Sequence, residues 1–100
     1  MTIRNTEHYI AALWDWSCLD GCFGVSRIRL SDLDGIVERN GRFLVIEAKS
    51  NSAPVTTGQK RMFEAMAATG VFTVLVLWGD ANTPERMRVM AWRDGRVVSV

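Results

Sequence analysis

The feature that most constrains the fold is a β-hairpin signal in the first half of the chain. Asn40-Gly41 lies between two segments rich in β-branched and apolar residues. A type I′ turn needs positive φ at both central positions, and Asn-Gly is the pair most typical of it. A two-residue loop here fixes the strand register, because Arg39 must then face Arg42.

This register brings four charged residues to one side of the hairpin. It places Asp34 opposite Glu47 and Asp32 opposite Lys49, and side chains that face each other project from the same side of the sheet. The Asp32–Lys49 pair is attractive, but two carboxylates at facing positions destabilise a sheet. The cost is removed if one carboxyl holds a proton or if a cation lies between them. The sequence therefore predicts a site for a hard cation such as Mg²⁺ or Mn²⁺.

The same residues carry a likeness to a known family. Asp34 followed by Glu47-Ala48-Lys49 resembles the D…(E/D)-x-K signature of the PD-(D/E)xK nuclease superfamily, and especially its small Holliday-junction-resolvase-like and VRR-NUC-like members from phages and DNA repair. The family's Pro-Asp dipeptide is absent, and Ser31-Asp32 or Leu33-Asp34 stands in its place. Chance alone often produces the bare triplet, but its placement on two paired strands makes the likeness more specific.

The resemblance assigns roles to the residues of the motif. It implies that Asp34, Glu47 and the backbone carbonyl of Ala48 bind Mg²⁺ or Mn²⁺, which activates water against a phosphodiester. Lys49 would orient that water or stabilise the transition state. Asp32 would either hold Lys49 or supply a further ligand.

Two more polar residues are candidates for the site. Glu7 begins the apolar stripe of a predicted first helix, where it either favours the helix dipole or, as in the resembling nucleases, reaches the metal. Gln59 points inward from the first turn of a second predicted helix, and a polar group there requires a partner. It either bonds to loop backbone or, as the family implies, approaches the active site.

The remaining sequence predicts an α/β chain. The expected elements are a helix from Asn5 or Thr6 to Trp16 or Ser17, a short strand Val25–Arg29 that is separate or part of the next, hairpin strands Ile28–Arg39 and Arg42–Lys49, a helix from Thr57 or Gly58 to Thr69, a buried strand Val71–Trp78, a turn Gly79–Pro84, and a closing pair Met87–Trp92 and Arg96–Val100. The second hairpin strand, the second helix and the buried strand form a βαβ unit. This order agrees with a restriction-endonuclease-like fold, a mixed central sheet flanked by helices, in one domain spanning residues 1–100.

Charge and composition set limits on partners and location. The formal net charge is only +1, whereas non-specific DNA binders usually carry a basic excess. Each local arginine or lysine is therefore either a phosphate contact or an ordinary solvated surface residue. The expected DNA-binding residues are Arg27, Arg29, Lys60 and Arg61. No apolar run approaches the roughly 18 residues that span a bilayer, and the N-terminus lacks a signal-peptide core. We therefore expect a cytoplasmic protein, in the host cytoplasm if a phage encodes it.

Cys18 and Cys22 do not point to a metal or redox function. A zinc site needs four ligands, and His8 is the only histidine. A disulfide is disfavoured in the cytosol, so the sequence predicts two buried free thiols.

Taken with the resemblance, these features predict a metal-dependent DNA endonuclease that selects branched DNA, junctions or flaps. A chain of 100 residues has little room for a module that reads sequence, and junction cutters of this size typically act as homodimers. The alternatives are a catalytically inactive nuclease-fold module that binds DNA or protein, and a small phage structural or regulatory protein.

Overall fold

The computed structural model describes residues 14–24 and 30–100, and the chain divides into two compact units, Met1–Ser31 and Asp32–Val100. In the first unit a 3₁₀ turn, Ser17–Leu19, follows three residues without regular structure. The predicted helix is therefore wrong at its C-terminal end, and its earlier residues lie outside the described ranges. The backbone N–H of Ser17 donates to the Asp15 carboxylate at 2.9 Å, a local bond that competes with helix formation.

The two cysteines of this unit are free and exposed. The prediction of free thiols is confirmed, but the prediction that they are buried is wrong. Cys18 lies in the 3₁₀ turn and Cys22 lies in the run of turn residues 20–24.

The second unit is a five-stranded mixed sheet with one helix, which confirms the α/β class. Its elements are β1 Gly35–Arg39, β2 Arg42–Lys49, α1 Thr57–Ala68, β3 Phe72–Asp80, β4 Thr83–Arg93 and β5 Arg96–Ser99. The strands lie side by side in chain order. β2 and β3 are parallel and joined through α1, as predicted, whereas the other neighbouring pairs are antiparallel.

The β1–β2 hairpin has the predicted turn and register. Asn40 and Gly41 have φ of 54° and 77°, and Arg39 pairs with Arg42. The ladder begins only at Gly35, however, so the predicted strand 28–39 is too long. Residues 30–34 lie outside any strand, and residues 25–29 lie outside the described ranges.

The end of β3 also differs from the prediction. β3 continues through Gly79 to Asp80 and β4 begins at Thr83, so the predicted turn 79–84 shrinks to two residues. A register shift at Trp78/Gly79 accommodates this extension. A Cβ added to Gly79 would collide with the carbonyl oxygen of Thr83, because the two strands approach closely at the bulge. Gly and Pro, which usually break strands, are tolerated at such irregularities.

The core of this unit lies between α1 and one face of the sheet. Its fully or almost fully buried side chains are Val45, Phe63, Ala67, Val74, Val76, Trp78 and Met90. Alternation along β2 places Glu47 and Lys49 on the same face as Val45, so the charged residues of the motif continue the row of core residues toward the end of the strand. Within the described residues, no helix combines the length and the apolar character needed to cross a bilayer.

Candidate active site

The candidate site lies at the carboxyl ends of the two parallel strands. In open α/β sheets this edge is where ligands usually bind. Lys49, at the end of β2, is the register partner of Trp78 on β3. An open cavity of about 640 Å³ is bounded here by residues that include Asp34, Ala48 and Lys49.

Asp34 is fastened to the strand that carries Glu47. The β1–β2 ladder ends at the pair Gly35–Ile46, so Asp34 is the first residue beyond it, at the position that the register predicts to face Glu47. Its Oδ2 accepts a hydrogen bond from the backbone N–H of Ala48 at 2.8 Å. A side-chain hydrogen bond thus takes the place of the backbone ladder at this position and holds the Asp34 carboxylate beside β2.

Glu47 is the one buried charged side chain of the described residues, with 8% of its surface exposed. Its pKa is raised above the ordinary value of 4.5, first by desolvation and then by the negative charge of Asp34, while the charge of Lys49 lowers it. The negative charges of Asp34 and Glu47 therefore repel one another. A cation or a proton would relieve this cost.

Gln59 connects Glu47 to the start of α1. Its Nε2 donates to Glu47 Oε1 at 3.0 Å, and its Oε1 accepts from the backbone N–H of Thr56. The backbone N–H of Gln59 in turn donates to the Thr56 hydroxyl, which completes a capping box at the N-terminus of the helix. Gln59 therefore bonds the loop backbone and Glu47 at once, and its role in an active site stays a prediction.

Asp32 is not paired with Lys49 in the sheet. The predicted facing pair cannot form because β1 begins at Gly35, and Asp32 is exposed. Across the described ranges the ion pair found within 4 Å is Lys60–Glu64. The predicted facing pair of Asp32 and Lys49 is therefore wrong. The role of Asp32 as a metal ligand stays a prediction.

The structure describes two of the four proposed DNA-binding residues, Lys60 and Arg61, and neither borders the cavity beside Asp34. Glu7, Arg27 and Arg29 lie outside the described residues. Lys60 is exposed and paired with Glu64 at 3.9 Å. Arg61 borders a different cavity, formed with residues of α1, β4 and β5, that shares no residue with the one beside Asp34.

Sequence reasoning missed a cluster next to Lys49. Trp78 Nε1 donates to the carbonyl of Ala53 at 2.7 Å, and the Arg86 guanidinium lies over the indole, 4.5 Å from its centroid. Arg86 Nη2 also donates to the carbonyl of Asn51 at 2.7 Å. The signal in the sequence was a tryptophan ending a buried strand, since a buried indole N–H requires an acceptor.

The donor set at the site suits a hard cation. Asp34 and Glu47 each use one oxygen in a hydrogen bond, and carboxylate and carbonyl oxygens are the ligands that Mg²⁺ prefers. The described residues contain no group of three or more His, Cys, Asp or Glu side chains placed to hold a metal. The fit therefore rests on two carboxylates whose mutual repulsion a cation would relieve, with the Ala48 carbonyl as a third donor.

Comparison with protein-family models, with curated proteins and with solved structures finds no match to this chain. Its function must be argued from the site itself.

Proposed function

We propose that this chain is a Mg²⁺- or Mn²⁺-dependent DNA endonuclease with a restriction-endonuclease-like fold. The observation that carries the proposal is a buried glutamate, Glu47, whose pKa is raised by desolvation and then by the charge of Asp34, with a lysine two residues further along the same strand. Carboxylates with perturbed pKa values are typical of functional sites. The order hairpin, helix and parallel strand is the order that the nuclease resemblance implies, and it supports the assignment.

Each side chain of the site has a defined task in this proposal. Asp34, Glu47 and the Ala48 carbonyl would hold the cation, which when bound neutralises charge on the phosphate oxygens. Glu47 must be ionised for this, and Gln59 keeps its carboxylate oriented through the 3.0 Å hydrogen bond. Lys49 places an ammonium beside the reacting phosphate, where it stabilises the negative charge of the transition state.

The substrate we propose is branched DNA, such as a junction or a flap. The described strands and helix provide the site and its core, without a separate module for reading base edges, so shape recognition and phosphate contacts would select the substrate. A homodimer would present two such sites to a junction. Trp92, which is 45% exposed, supplies apolar surface for such an interface.

The test is a cleavage assay on supercoiled, linear, single-stranded and four-way-junction DNA with Mg²⁺, Mn²⁺ or EDTA. We expect metal-dependent cutting that favours the junction and is lost in Glu47→Gln and Lys49→Ala. Glu85→Gln is the matched control, because Glu85 is an exposed acid on β4. Metal-dependent binding without cutting by the wild type would instead identify an inactive nuclease-fold binding module.

A further inference from the structure

We propose that Arg86 is a phosphate-binding residue that holds the nucleic-acid backbone one subsite away from the carboxylates. The inference deepens the proposed function and rests on it for the choice of DNA as the partner. It concerns a residue of β4, outside the nuclease-like motif.

The sheet places Arg86 in one row with Lys49. Trp78 is the register partner of Lys49 on one side and of Arg86 on the other, and partners of one row project from the same face. Neighbouring strands lie roughly 4.8 Å apart, so the backbones of Lys49 and Arg86 are about 10 Å apart. The row therefore carries two cationic side chains with an indole between them.

The Arg86 guanidinium is held in a defined orientation. It stacks on Trp78 with its Cζ 4.5 Å from the ring centroid, and it donates one hydrogen bond to the Asn51 carbonyl. An arginine has five N–H donors, so others remain for a ligand, and Arg86 is exposed. A guanidinium fixed in this way loses little further entropy when it binds a phosphate through two parallel hydrogen bonds.

The indole under the guanidinium is itself fixed. Trp78 is only 6% exposed, and its Nε1–H is bonded to the Ala53 carbonyl. Asn51 and Ala53 both belong to the loop that follows Lys49 and leads to Thr56. The position of the guanidinium is thus tied to the loop that joins the two halves of the candidate site, Lys49 on β2 and Gln59 on α1.

The charge pattern favours a polyanion over a single small anion. Arg88, two residues along β4, is exposed and pairs with Val76, the neighbour of Glu47. No acidic side chain of the described ranges lies within 4 Å of either arginine, since the ion pair found there is Lys60–Glu64. Two arginines without acidic partners on the same face of one strand suit successive phosphates of a backbone.

The experiment measures binding of a fluorescently labelled four-way junction and duplex by anisotropy, in EDTA so that no cutting occurs, from 50 to 200 mM salt. Arg86→Ala should weaken binding on the order of tenfold and reduce the slope of log K against log salt by about 0.9 for each lost duplex contact. Arg86→Lys keeps the charge without the fork, so its salt slope should stay near that of the wild type while its affinity falls between the two. Arg93→Ala is the matched control, because Arg93 is an exposed arginine at the hairpin end of the same strand.

The salt slope separates binding from a structural role. If Arg86 only clamped the loop, Arg86→Ala would lower the melting temperature and leave the slope unchanged, which would overturn the inference. Should Arg86→Ala not fold, an Arg86→Lys affinity equal to that of the wild type would contradict it. If polyglutamate displaced the labelled DNA as well as unlabelled DNA does, acidic peptides would be the partner class instead.

The result for Arg86 can be distinguished from the result for the proposed nuclease activity. A wild type that binds DNA in EDTA but cuts nothing with Mg²⁺ or Mn²⁺ would refute the nuclease and leave the Arg86 result intact. Normal cutting with an unchanged Arg86→Ala slope would refute the Arg86 proposal alone. A wild type that does not bind DNA at all would overturn the inference.

Discussion

Glu47 shows how much a single residue can reveal about a site. A carboxylate that is buried and faces a second carboxylate is costly, and its raised pKa expresses that cost. The hairpin turn predicted the encounter with Asp34 from the sequence, because register follows from turn chemistry. It did not predict that Asp34 lies just outside the ladder and binds the Ala48 N–H, since strand ends depend on local competition between side chain and backbone.

The raised pKa predicts how the stability of the metal-free protein depends on pH. Between the ordinary value of 4.5 and the raised folded-state value, the folded protein holds more protons on Glu47 than the unfolded chain. Stability therefore falls as pH rises through that window. Urea unfolding in EDTA should show this fall in the wild type and a smaller one in Glu47→Gln. A steeper fall in Glu47→Gln than in the wild type would contradict the raised pKa of Glu47.

The two aspartates should behave differently on mutation. Asp34→Asn keeps an acceptor for the Ala48 N–H but removes a negative charge beside Glu47, so we expect it to stabilise the metal-free protein and abolish cutting. Asp32→Asn changes an exposed residue without a ladder partner and should alter stability by less than about 0.5 kcal/mol. Thermal melts and cleavage assays on both variants decide the matter. A dead Asp32→Asn with an active Asp34→Asn would show that the ligand is misassigned.

At the scale of elements, the sequence was most informative where local chemistry decides the structure. Asn40-Gly41 predicted the turn and the β1–β2 register, and the bounds of β2 were predicted correctly. The β3–β4 end was not predictable, because Gly79 and Pro84 indicate a break unless the bulge at Trp78/Gly79 is known. The register of β4 depends on that bulge, which is why the stacking of Arg86 on Trp78 was missed.

The capping box of α1 couples helix stability to the site. Thr56→Ala removes the acceptor for the Gln59 N–H and should cost about 1 kcal/mol of stability. Because the same turn directs Gln59 toward Glu47, cleavage should also slow by more than the loss of folded protein explains. Thr57→Ala, at the adjacent exposed helical position, is the control for urea unfolding and cleavage. Equal effects of the two substitutions would contradict a specific role for the cap.

At the scale of the whole sheet unit, residues 32–100, the mixed sheet divides its α1 face into two regions. Near the middle of the strands this face is apolar and packs on the helix, whereas toward the carboxyl ends of β2 and β3 it carries the carboxylates, Lys49 and the stacked arginine. A near-neutral chain can in this way concentrate acidic and basic groups at one edge. The central claim is that the acidic part of this edge holds a divalent cation.

Thermal melting with increasing Mn²⁺ tests that claim most directly, because it detects binding without requiring the right substrate. A cation that binds only the folded state adds about 2.7 kcal/mol of stability at a hundredfold excess over Kd. We expect the melting temperature of the wild type to rise with millimolar Mn²⁺, that of Glu85→Gln to rise equally, and that of Glu47→Gln to stay constant. A wild-type melting temperature that does not change with Mn²⁺ would contradict the account.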